Sequence, residues 1–180
     1  MAQRIEKLGK LEFGEITQVK TVHKAKILPT KVTFHKQSTF GLKEKDDRKY
    51  FMVMLDEASL IGIERLNKNV KTWLAENHTT LPKPFRKMSK DEMLNCYQPL
   101  ESPAKDDYKP VLFAQVNQYK GKISSKLSTT ELAQRGTVSF TLNLKSVLFI
   151  PDKSKIKIES DLYELRYDTV AQDVSYLNDD

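Results

Sequence analysis

A two-residue period constrains this chain more than any other feature. Between Thr137 and Ile150, Val138, Phe140, Leu142 and Leu144 alternate with Thr137, Ser139, Thr141 and Asn143. Successive side chains of a strand point to opposite faces, so the pattern predicts one buried face and one open to water or a ligand. Pro151 to Ser154 then reads as a turn, and Ile156, Ile158, Leu162, Tyr163 and Leu165 as the return strand of a hairpin. The same period runs through Leu11–Lys20, where Gly14 breaks the phase and predicts a bulge. Lys24–Leu28 and Lys31–Lys36 are short alternating runs on either side of Pro29. Lys49–Leu55 is a continuous apolar run and predicts a central strand; Val111–Tyr119 is another strand.

One segment has a different period. Ile63, Leu66, Val70, Trp73 and Leu74 fall on a single helical stripe, with Glu64, Lys68, Lys71 and Glu76 opposite. This predicts one amphipathic helix over about residues 57–77, capped by Asp56 or Ser59, with Trp73 as a core anchor. Residues 78–110 hold Pro82, Pro84, Pro99, Pro103 and Pro110 and form a long irregular insertion, with one short helix signalled by the capping-box pair Ser89 and Glu92. Gly121–Gly136 is polar and reads as a loop. The fold class is mainly β with one or two helices (α+β). The order of three strands, a helix and further strands matches an OB-like antiparallel barrel. With 180 residues, the chain can bury a core of its own: one β-rich domain over 1–167, then an acidic tail over 168–180.

Charge is unevenly placed. All 30 Lys and Arg precede Tyr167, and only Asp168, Asp173, Asp179 and Asp180 are charged beyond it. A basic body attracts polyanions, and an acidic end competes for the same surface or recruits a partner. Catalytic signatures are missing. Six glycines form neither GxGxxG nor a P-loop, and no GxSxG occurs. His23, His35 and His78 share no metal-ligand spacing, and Cys96 lacks a second cysteine. The reading is therefore a non-enzyme with no cofactor and no metal. A single cysteine permits no internal disulfide and points to a reducing, intracellular setting. No apolar run is long enough to span a bilayer, and Met1–Lys10 lacks the apolar stretch of a secretory signal.

What remains is electrostatic and aromatic. Lys20, Lys24, Lys26, Lys31, Lys36, Lys43, Lys45 and Arg48 are interleaved with Phe34, Phe40 and Tyr50. Flexible point charges track phosphates while flat rings stack bases, the combination that holds single-stranded nucleic acid without reading its sequence. Tyr119, Lys120, Lys122 and Lys126 form a second cluster around Gly121.

The run KYFMVMLD (49–56) leading at once into SLIGIERLNKNVKTWLAENH (59–78), then TVSFTLNLKSVLFIPDKSKIKIESDLYEL (137–165) before a tail ending in LNDD, resembles a known family. It is similar to the phage-type single-stranded-DNA-binding proteins, short OB-fold proteins with an acidic C-terminal tail, of which large DNA viruses carry counterparts. The resemblance implies a role in DNA replication or recombination, inside a host nucleus or cytoplasm if viral. It also implies a tail, here Asp173, Asp179 and Asp180, that folds over the basic cleft or contacts replication proteins. A homo-oligomer is compatible with it. The tail has only four aspartates and no terminal aromatic, and residues 78–110 have no counterpart. An alternative of another class is a viral structural protein, a minor capsid or scaffold component within a virion. Phe85, Tyr97 and Tyr108 on an irregular stretch would then order against capsid protein subunits. An RNA-handling accessory would use the same basic surface.

Overall fold

The computed structural model describes residues 2–102, 109–116 and 134–170. Strands β1 (Ala2–Arg4), β2 (Phe13–Val19), β3 (Val22–Lys45) and β4 (Arg48–Met54) precede helix α1 (Glu57–Glu76). Short helix α2 (Lys90–Asn95), β5 (Val111–Gln115), β6 (Gly136–Ile150) and β7 (Lys155–Val170) follow. Among the described residues the class is mainly β with two α-helices, as the periodicity implies. Within the single sheet the order is β5-β4-β3-β6-β7. All pairs along it are antiparallel; β1 adds to β3 in parallel and β2 in antiparallel fashion.

The two short runs around Pro29 are in fact one strand. β3 pairs β6 along most of its length, and on its other edge meets β2, β1 and β4 in turn. It stays continuous by bending. Its register with β6 shifts between Lys26 and Thr30 and again between Phe34 and Gln37, and with β4 between Thr39 and Gly41. Lys36 and Gly41 take positive φ of 53° and 86° at the second and third of these breaks, the geometry of bulged backbone. The bulge predicted near Gly14 is present between Phe13 and Ile16.

The sheet curls but does not close on itself. Its edges, β5 and β7, are linked by the segment after α2. Gln98 N donates to Ile156 O at 2.8 Å and Ile156 N to Cys96 O at 3.0 Å; Ser102 N donates to Val111 O at 2.8 Å. Leu100 N, the donor that would extend the bridge to Ile158 of β7, bonds Asn67 Oδ1 at 3.3 Å instead, so the circuit stays open where a barrel was expected.

Helix α1 buries its predicted stripe: Ile63, Leu66, Val70 and Leu74 are fully covered. Trp73 is half-buried and stacks on Phe13 at 4.7 Å, which anchors β2. Gly62 lets the Ile5 backbone cross the helix, since a Cβ there would lie 2.6 Å from the Ile5 carbonyl carbon. The insertion is tied to the same core. Leu81, Phe85 and Met93 are fully buried and Tyr97 nearly so. Tyr97 Oη donates to Asn67 Oδ1 at 2.6 Å, and Asn67 Nδ2 to Glu101 at 3.0 Å. Phe85 and Tyr97 therefore fill this chain's own interior instead of awaiting a neighbour; Tyr108 lies outside the described residues. β7 runs through Val170, so Asp168 belongs to the sheet and not to a tail. Its carboxylate accepts from Ser139 Oγ at 2.6 Å and from Arg166. No helix among the described residues is long and apolar enough to cross a membrane.

Asp56 caps α1, accepting from Ser59 N at 2.8 Å, and is clasped by buried Gln37, whose amide donates to the carboxylate at 3.0 Å and accepts from Asp56 N at 2.8 Å. Partial burial pulls the Asp56 pKa up, but these hydrogen bonds outweigh it and hold it below the ordinary 3.8. A lowered folded-state pKa means stabilisation that is complete above the ordinary value and lost as pH falls through the folded one. Asp56→Ala is expected to lower stability by about 1 kcal/mol at neutral pH. In urea melts its gap from wild type should persist above pH 3.8 and shrink below it.

Candidate nucleic-acid interface

The open seam between the sheet edges forms a cleft of about 480 Å³ on the outer face. Alternation builds it. In β4, Phe51 and Val53 point into the core, so Arg48 and Tyr50 point out; in β5, Leu112 and Ala114 point in and Phe113 out. Tyr50 and Phe113 meet edge to face at 6.4 Å, and Phe113 is 42% exposed, a large apolar ring left on the surface. From β7, Ile156 and Ile158 are buried and Lys157 faces the cleft. Gln98 and Gln115 supply polar groups to its wall.

The cleft is electropositive. Burial first, then the charges of Arg48, Lys153 and Lys155, push the Lys157 ammonium below its ordinary 10.5; Glu159 acts the other way. Lys157 is thus a cation held among cations, an arrangement that disfavours the charge until an anion arrives.

A second, shallower groove of about 530 Å³ continues along the same face. It presents Lys24, Lys26 and Lys145 beside Glu15 and Glu159. Lys24 Nζ bonds both Glu159 oxygens at 3.0 and 3.3 Å, and Lys145 pairs with Asp161 at 3.0 Å.

Of the residues predicted from sequence, Lys24 and Lys26 line the groove, and Arg48 and Tyr50 the cleft. Lys43 lies directly across the ladder from Tyr50 and shares its face; Lys45 occupies the register position opposite Arg48. Others are elsewhere. Lys20 sits in the β2–β3 turn, exposed. Lys31 lies over the Tyr163 ring at 3.9 Å. Lys36 is at a bulge, its N–H donating to Ser139 Oγ. Phe40 is half-buried with the Arg135 guanidinium 5.7 Å away over its ring. Phe34 is a correction: it is fully buried and stacked on Phe140 at 4.6 Å, so no base can reach it. Tyr119, Lys120, Lys122, Lys126, Asp173, Asp179 and Asp180 lie outside the described residues.

Sequence reasoning missed Phe113, Lys145, Lys153, Lys155 and Lys157. The signal existed for two of them: Lys155 and Lys157 alternate with Ile156 and Ile158, and so share the outward side of the return strand, with Lys153 in the turn before it. Among the described residues no group of three or more His, Cys, Asp or Glu is placed to hold a metal ion. The Cys96 thiol contacts Met88 Sδ at 3.7 Å and donates to Glu92 O at 3.4 Å; burial and then the Glu92 charge push its pKa up, which suppresses the nucleophilic thiolate.

Two outcomes follow. Phe34→Leu should lower stability by about 1–3 kcal/mol in urea melts while leaving oligonucleotide affinity unchanged, and Phe113→Leu should do the reverse. Because Lys157 is less easily charged when folded, its ammonium opposes folding at neutral pH. Lys157→Met should therefore unfold at a urea concentration no lower than wild type while binding anions more weakly.

No family model matches this chain, and no curated protein matches its sequence.

Proposed function

We propose that this chain is a non-sequence-specific single-stranded-DNA-binding protein acting in DNA replication or recombination. The observation that carries the reading is the cleft at the sheet seam, where Tyr50 and Phe113 stand beside Arg48 and Lys157. Single-strand binding needs rings exposed enough to stack on unpaired bases and cations close enough to meet the intervening phosphates. Lysine dominates the surrounding cations, at positions 24, 26, 43, 145, 153, 155 and 157, which suits phosphate contact more than reading of base edges. The viral structural alternative rested on a stretch free to order against another subunit. Phe85 and Tyr97 of that stretch are taken up by the chain's own core, which leaves it fewer aromatic residues to offer a neighbour.

Fluorescence anisotropy with labelled oligo(dT) tests the reading. Binding should weaken linearly on a log–log plot against salt, by about 0.7 in slope per phosphate neutralised. A duplex of equal length should bind more weakly at each salt concentration. Tyr50→Ala and Phe113→Ala should each reduce affinity about ten-fold or more, since stacking is worth about 1–3 kcal/mol per base. Absence of salt-dependent binding at low ionic strength would overturn the proposal, and equal affinity for matched oligo(rU) would assign the surface to RNA as well.

A further inference from the structure

The cleft and the groove share one residue. Glu159 lines both, and among the described residues is the sole carboxylate lining the Tyr50–Phe113 cleft. Lys24 holds it through both oxygens, and Ser146 Oγ donates to Oε1 at 3.4 Å. A carboxylate fixed by a lysine between two cationic surfaces occupies the kind of position a phosphate would take.

From this we infer that Glu159 is a built-in counter-anion that divides the polyanion path, and that a bound strand joins the two surfaces only by drawing Lys24 away from it. The inference rests on the single-strand reading above and specifies how that site discriminates. A short oligonucleotide can occupy the cleft alone and need not disturb the pair. A longer one must pass Glu159, so one of its phosphates exchanges with the carboxylate for the Lys24 ammonium. The exchange leaves Glu159 facing a phosphate, a repulsion that limits affinity for long strands. The pair is about two-thirds covered on both sides, at 33% and 32% side-chain exposure, so solvent does not fully screen that repulsion. The Arg48, Lys153 and Lys155 charges that surround Lys157 keep the cleft itself cationic whatever Lys24 does.

The test compares wild type with Glu159→Gln by anisotropy, using a dT tetramer and a longer dT oligomer across a salt series. Glu164→Gln, an exposed change of equal charge on the same strand that lines neither surface, is the control. Glu159→Gln should bind the long oligomer several-fold tighter, with a salt slope steeper by about 0.7 because Lys24 becomes free for one more phosphate. The tetramer should gain less. Adding Lys24→Gln to Glu159→Gln should abolish the gain, and this non-additivity distinguishes ion exchange from a change in net charge. If wild type binds but Glu159→Gln behaves as Glu164→Gln does, the divided path is wrong and the single-strand reading stands. If neither wild type nor Glu159→Gln binds either oligonucleotide, both fail together.

Discussion

The bend in β3 is the constraint from which the rest of the structure follows. At about 3.3 Å per residue, Lys24 and Lys45 would sit about 70 Å apart on a straight strand. Three register shifts along β3 curl the sheet instead. The curl brings Arg48, in the hairpin at one end of β3, to the cleft that also holds Lys157 and Glu159, and Glu159 is bonded to Lys24 near the other end. Charges dispersed along the sequence thus converge on one outer face. The same curl leaves β5 and β7 close but unpaired, and that seam is the cleft. Had the ladder closed as in a true barrel, its hydrogen bonds would occupy the space now open between Phe113 and Lys157.

What holds the curl is a core layered beneath it. The apolar stripe of α1 lies over the inward residues of the sheet, pinned at one end by the Gln37–Asp56 clasp and crossed by the Ile5 backbone at Gly62. Asn67 on that helix then fixes Tyr97, Leu100 N and Glu101, the stretch that links the sheet edges and forms one wall of the cleft. The buried Asn67 amide therefore couples the core to the wall of the cleft. Lys157, by contrast, is placed where its charge is disfavoured, as groups at binding surfaces often are.

Much of the fold was legible because its signals are local. The alternation of β6, the stripe of α1, the Asp56 and Ser89 caps and the phase break at Gly14 all appear in the structure where the residues put them. The continuity of β3 was not legible. Pro29 and the polar residues after Phe34 look like breaks, and only pairing with β6 on one side and three strands on the other shows them to be bends. Nor was the open seam, because whether two distant edges close depends on where the intervening segment spends its backbone donors, and Leu100 N goes to Asn67. For the candidate site, the basic and aromatic residues singled out from the sequence overlap only in part with those that line the cleft and groove. Lys24, Lys26, Arg48 and Tyr50 were found because they lie in a dense basic stretch. Phe34 was misassigned because alternation does not reveal which face is the core until the sheet is assembled. Phe113 was hidden by its apolar neighbours, as an exposed ring between Leu112 and Ala114 reads like any core residue.

We propose that unpaired bases meet the protein at the rings of the sheet seam. Ultraviolet crosslinking of a bromodeoxyuridine-substituted single strand, with adducts mapped by peptide mass spectrometry, addresses it directly. Adducts on Tyr50 and Phe113 that fade as salt is raised are the expected result. Adducts confined to other aromatic residues, such as Tyr163 on β7, would contradict it.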